Sequence, residues 1–228
     1  PDEAGRIACA FAGLGSADQR GRKRMAPAEA GAGLPAGNYH LESTLEGAAR
    51  DEAARALLLT GYRFDGYRAA SEDGPRLAAP AGVDAARLEA IAAGEGLTRD
   101  LINTPANDMG PQELAAAATR LARDHGATVE ITEGADLLTR NLPLIHTVGR
   151  ASARAPRLID LRWGDSGPRL TLVGKGVIFD TGGLNLKPGG SMGLVKKDKV
   201  GAATVLGLAH AVTALDLDGD VRVRIPAV

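Results

Sequence analysis

Apolar residues recur at helical spacing between Thr44 and Phe64, where Leu45, Ala48, Ala49, Ala53, Ala56 and Leu57 can share one side, and this predicts a helix. Asp84 to Ile102 reads as a second helix. Val83, Arg87, Leu88, Ile91 and Leu97 are compatible with one apolar face, although Gly94 and Gly96 weaken it. Asn103 to Pro111 is a loop, broken by Pro105, Gly110 and Pro111. Gln112 to His125 is a strong helix, with Pro111 where a fixed φ favours the first turn and Gly126 just past the end. Beyond it the pattern alternates. Ala127–Thr132 is a strand and Glu133–Arg140 a short helix. Leu142–Val148, Arg157–Trp163 and Leu170–Ile178 are strand-like, Val200–Leu215 is a helix, and Val221–Val228 is a strand. Strands alternating with helices predict an α/β fold with a mixed or mostly parallel central sheet flanked by helices.

The N-terminal pattern is weaker. Ile7–Phe11 is strand-like, a Gly/Ala/Arg-rich stretch after it reads as loop, and Arg76–Ala79 suits a short strand. Pro75, Pro80 and Gly82 punctuate a boundary. Residues 1–82 are therefore expected to be part of a smaller N-terminal α/β domain, and 83–228 the first portion of a larger domain. The chain opens on Pro1 and stops within a strand at Val228, so both ends are expected to be cut.

Composition narrows the function. The chain has 228 residues, 44% hydrophobic and 24% charged, which suits a soluble globular protein. Aromatics make up only 3%, so the core must come from Ala, Val, Leu and Ile. A net charge of -1 offers no electrostatic case for nucleic acid or an anionic membrane. The one dense basic run, Arg20, Arg22, Lys23 and Arg24, reads as a solvated loop. Cys9 is the sole cysteine, which rules out an intrachain disulfide and fits a reducing compartment. No stretch is long and apolar enough to span a membrane.

Candidate chemistry concentrates between Val173 and Ala203. Lys175 and Asp180 stand at the end of an apolar strand. Gly182-Gly183, Lys187-Pro188, Gly189-Gly190 and Lys196-Lys197-Asp198 follow. In open α/β sheets ligands bind beyond the carboxyl ends of strands, and glycines there permit close backbone approach. One Lys–Asp pair in a loop is ordinarily just solvated surface. A phosphate loop is excluded because GxxxxGK[ST] is absent, and Gly13 and Gly15 lack the third glycine of a dinucleotide loop. There is no HExxH and no GxSxG. His146, in an apolar run, reads as structural, His210 as a packing or capping residue, and Cys9 has no base to make it a nucleophile.

Taken whole, VGKGVIFDTGGLNLKPGGSMGLVKKDKVGAA resembles the signature region of the leucyl (cytosol) aminopeptidase family. That pattern runs VGKG, two residues, FD, one residue, GG, three residues, KP, then a Met and a basic residue shortly before an Asp, then GAA. Upstream, Asn103-Thr104-Pro105-Ala106-Asn107 resembles the family's NTPxN segment, and Leu144 to Ala151 resembles a later stretch ending in VGRAS. Arg222–Val228 resembles the strand leading to the next active-site segment. The likeness covers residues 84–228 well, and the first eighty resemble only the tail of the family's N-terminal domain.

The resemblance implies a two-metal metallopeptidase that removes N-terminal, leucine-like residues from peptides with a free N-terminus. Lys175, Asp180 and Asp198 would be metal ligands for Mn²⁺ or Zn²⁺. Asp180 would bridge two ions, and Lys175 and Asp198 would hold the looser one. A lysine ligand must be neutral, and a nearby dication penalises its ammonium form. Lys187 would stay cationic and serve as the catalytic, substrate-binding group on the scissile carbonyl. Val195 stands where a Met often lines the pocket for the first side chain. The resemblance also implies a cytoplasmic homohexamer. The family's acidic NTDAEGR segment lies beyond Val228, so the second metal site is expected to be incomplete and this chain alone inactive. After Asp198 the family has Met-Gly or Met-x-Gly, whereas this chain has Lys199-Val200-Gly201. A charge at Lys199 beside a dication would weaken metal binding. That departure keeps open a second reading, a degenerate member acting as a structural or binding subunit.

Overall fold

A computed structural model describes residues 7–69, 74–181 and 186–228, and these form nine helices and six strands. Contacts divide the chain into two units, Pro1–Ala92 and Ala93–Val228. Gly182 and Gly183 of the signature string lie outside the described residues.

The first unit contains α1 (Ala17–Arg22), α2 (Ala26–Ala32), β1 (Gly37–Tyr39), α3 (Gly47–Leu59) and β2 (Pro75–Leu77). β1 and β2 pair in parallel. α3 buries Ala53, Ala54 and Ala56; Ala53 and Ala56 belong to the predicted apolar side, but Ala48 and Ala49 of that side are exposed, and the helix is shorter than Thr44–Phe64 at both ends. Two expectations fail. Ile7–Phe11 is not a strand: among the described residues it pairs with no other segment, and Phe11 is 97% exposed. The Gly/Ala/Arg stretch is not simply loop, because Ser16 and Gln19 form a capping box that starts α1. Arg20 and Arg22 lie on that helix, and Arg24 bonds Glu52 of α3.

α4 (Ala85–Asn103) follows, then α5 (Pro111–Asp124), β3 (Thr128–Glu133), α6 (Asp136–Thr139), α7 (Pro143–Gly149), β4 (Arg157–Trp163), β5 (Arg169–Val173), α8 (Gly189–Met192), a 3₁₀ turn over Val195–Lys199, α9 (Val200–Ala214) and β6 (Asp220–Ala227). The sheet order is β3-β4-β6-β5. β5 runs parallel to β6 and the other neighbours are antiparallel, so the α/β fold has a mixed sheet rather than a mostly parallel one. Every second residue of β6, Val221 to Ala227, is buried. This face packs on Leu114 and Leu121 of α5 and on Leu206 and Ala209 of α9. With so few aromatics, alanine and aliphatic side chains fill the core, and helices approach closely: a Cβ on Gly94 of α4 would stand 2.4 Å from the Gly207 carbonyl of α9. The glycine that weakens α4 as a helix is thus what lets it pack.

The run Leu142–Val148 is helix α7, not a strand. Pro143 occupies its first turn, and Leu144 and Val148, four residues apart, are both exposed. A short apolar run carries too little periodicity to separate the two forms. The expected strand Leu170–Ile178 ends at Val173, and the chain then stays beside β6 through one bridge, Gly176 to Ala227.

Candidate metal centre

Lys175 lies just beyond the carboxyl end of β5, held between two bonds to the β6 side. The Gly174 N–H donates to the Arg224 carbonyl at 3.0 Å and the Val228 N–H to the Gly176 carbonyl at 3.1 Å. The Lys175 carbonyl in turn accepts from the Ala202 N–H of α9 at 2.9 Å. Strand end and helix start can meet this closely only because both carry glycine. A Cβ at Gly174 would stand 2.6 Å from the Gly201 carbonyl, and one at Gly201 would stand 2.7 Å from the Lys175 nitrogen.

Across this junction Lys175 Nζ sits 3.0 Å from Asp198 Oδ1. The Asp198 side chain is 18% exposed and lies in the 3₁₀ turn feeding α9, where helix peptide dipoles favour an anion. The second pair is Lys187 with Asp180, Nζ to Oδ2 at 3.0 Å. The Lys187 N–H also donates to the Thr181 carbonyl at 3.2 Å. The four candidate residues thus form two ion pairs, Lys175 with Asp198 and Lys187 with Asp180. Val195, in the turn that carries Asp198, is buried at 4% exposure.

The donor set can be tested for fit to a cation. Ligand bonds of about 2.1 Å put neighbouring donors on one ion roughly 3 Å apart, and the Lys175–Asp198 pair has that spacing. Among the described residues no trio of His, Cys, Asp or Glu gathers to hold an ion. An ion here would therefore depend on the Lys175 amine as a donor beside the Asp198 carboxylate.

Three cations that sequence reasoning did not assign to the site hold the loop after α4. Lys196 Nζ donates to the Asn103 carbonyl at 3.2 Å and Lys199 Nζ to the Thr104 carbonyl at 2.5 Å. Arg154 donates to the carbonyls of Ala106 at 3.1 Å and Asn107 at 2.5 Å. The NTPAN segment is thus gripped through its backbone. Lys199 is fully buried, and burial, then Lys196, pulls its ammonium down to about 8. The only sequence signal for it was its departure from the family pattern.

His146 lies in α7. His210 of α9 packs edge-on against His125 with ring centroids 4.9 Å apart, and the two share a hydrogen bond of 3.1 Å. Burial, then His125, holds the His210 imidazole below its ordinary value. Among the described residues no helix is long and apolar enough to cross a membrane.

Residues 96–228 match the catalytic domain of the cytosol aminopeptidase family. A probable cytosol aminopeptidase of Syntrophotalea carbinolica is 37% identical over 224 residues, covering 91% of this chain and 43% of the relative. The crystal structure of the cytosol aminopeptidase from Coxiella burnetii superposes with a TM-score of 0.83 at 42% identity, covering 90% of this chain and 45% of that one. The bottromycin maturation enzyme BotP in complex with Mn superposes with a TM-score of 0.78 at 34% identity, covering 94% and 48%. This chain therefore spans less than half the length of these relatives.

Proposed function

Because the chain belongs to the cytosol aminopeptidase family, we propose that it carries part of the active site of a metal-dependent aminopeptidase that removes N-terminal, leucine-like residues from peptides. The observation that supports this most is the Lys175–Asp198 pair at the carboxyl end of β5, with the Lys187–Asp180 pair in the same signature string. Lys175, Asp180 and Asp198 would hold divalent cations, Mn²⁺ or Zn²⁺, and the Mn bound by BotP favours the former. A bound cation supplies Lewis-acid polarisation and lowers the cost of deprotonating water.

The chain's own residues account for the rest. Lys187 presents a cation that Asp180 holds in place. Facing a scissile carbonyl, it would stabilise the developing oxyanion by about 3 kcal/mol in a water-excluded site. Lys175 would offer its amine, which serves as a ligand only in its neutral form. Asp198 would offer its carboxylate from the 3₁₀ turn that leads into α9. Val195 would form the apolar floor beneath the first substrate side chain. The second ion, the remaining acidic donors and turnover itself would need the additional length that the relatives have, so this chain alone is expected to be inactive. A cytoplasmic homohexamer acting on peptides with a free N-terminus belongs to the same reading.

The alternative, a degenerate structural subunit, leaned on a charge at Lys199 beside the ion. That ammonium is bonded to the Thr104 carbonyl, which favours the enzymatic reading. The test is hydrolysis of leucine anilide with added Mn²⁺ by a protein extended to the relatives' length. Turnover is expected, and Lys187→Ala should lower kcat by about 100-fold. An inactive extended protein, or one indifferent to Lys187→Ala, would refute the proposal.

A further inference from the structure

We infer that Lys199, seconded by Lys196, is a positioning residue that clamps the Asp198 turn onto the end of α4 and thereby sets the Lys175–Asp198 pair. The inference shares with the proposed function only the reading of that pair as a metal site. Asp198 stands between the two anchors, with Lys196 two residues before it and Lys199 next after it. Both reach across more than ninety residues of sequence, to the Asn103 and Thr104 carbonyls, with |i−j| of 93 and 95. Carbonyls at a helix C-terminus have no partner within the helix, and cations suit them on both hydrogen-bonding and dipole grounds.

The acceptors are themselves fixed. The Thr104 N–H and Oγ1 both donate to the Asp100 carbonyl, at 3.0 and 2.7 Å, so the last turn of α4 cannot drift. Lys199 is 0% exposed. A buried ammonium deprived of its acceptor is strongly unfavourable, so the contact is held tightly rather than sampled. A turn pinned on both sides of one carboxylate holds that carboxylate at a fixed place, and Lys175 Nζ is what it meets there. Methionine at position 199 would fill similar volume but leave the Thr104 carbonyl with no donor.

Competitive amine labelling with mass-spectrometric readout tests this without any metal. The ratio of labelling at Lys175 to that at Lys187 is compared in the wild type, Lys199→Met, Lys196→Met and Asp198→Asn. Asp198→Asn, which abolishes the ion pair, sets the ceiling. Lys199→Met should raise the Lys175 ratio at least threefold, toward that ceiling, while Lys187, paired elsewhere, labels as before. Loosening of the whole unit would raise both lysines together. An unchanged ratio in folded Lys199→Met overturns the inference. If Lys199→Met fails to fold, Lys196→Met decides, with a smaller selective rise expected and no rise overturning it. Added Mn²⁺ should slow labelling of wild-type Lys175. If it does not, the metal reading fails, and the metal-free ratios still decide the clamp.

Discussion

Lys175 Nζ and Asp198 Oδ1 stand 3.0 Å apart although 23 residues separate them in the chain. Backbone brings them together: the carboxyl end of a strand and the start of a helix meet through Gly174 and Gly201, and the Lys175 carbonyl caps the Ala202 N–H. The site therefore depends on the absence of side chains at that junction as much as on the charged groups displayed there.

Gly201→Ala should damage this junction. Its Cβ would be 2.7 Å from the Lys175 backbone nitrogen, which is not a flexible group that can step aside. Overpacking of this kind costs about 1–3 kcal/mol. Urea denaturation should show a lower midpoint, and an unchanged midpoint would show that the strand end moves freely.

On the sheet face away from α5 and α9, Asp160 of β4 accepts two bonds from the Arg222 guanidinium, at 2.8 and 2.5 Å. Arg222 first, and the Arg162 and Arg224 charges after it, hold this carboxyl below the usual range against the opposing effect of burial. Asp160→Asn should cost about 2 kcal/mol at pH 7, as expected for bonds to a charged group. The sign with pH follows from the lowered value. The contribution is complete above the unfolded value of about 3.9 and is lost as pH falls through the lower folded value. Between pH 7 and pH 3 the difference in urea midpoint between wild type and variant should stay constant down to about pH 4 and begin to shrink below it.

His210 gives a second dependence, in a different window. Its folded value is depressed by burial and by His125, so the unfolded chain takes up a proton first. Stability should be constant above about pH 6.5 and decline as pH falls from there toward the folded value. His210→Gln should flatten the urea midpoint between pH 6.5 and pH 5. An equal decline in the variant would place the sensitivity elsewhere.

Much of this fold is legible in the sequence where pattern and punctuation agree. α5 carries Pro111 at its start and Gly126 past its end, and β6 alternates through eight residues. The errors fall where only local apolar content was available. Leu142–Val148 has apolar residues but no distinguishing period, so helix α7 read as a strand, and Ile7–Phe11 pairs with no other segment among the described residues. The residues of the two ion pairs, Lys175 with Asp198 and Lys187 with Asp180, could be singled out because they cluster in one string. The grip of Lys196, Lys199 and Arg154 on residues 103–107 was not, since contacts spanning 47 to 95 residues follow from tertiary packing that no local window contains. The His125–His210 pairing was hidden for the same reason.

On the proposed function, Lys175 and the Asp180 and Asp198 carboxylates would hold a divalent cation. Titration of this chain with Mn²⁺, following the signal of free Mn²⁺ by electron paramagnetic resonance, tests it directly. The prediction is saturable uptake that releases a proton and is weakened at least tenfold by Asp198→Ala and by Asp180→Ala. Failure of the wild-type chain to take up Mn²⁺, or uptake unaltered in both variants, would contradict it.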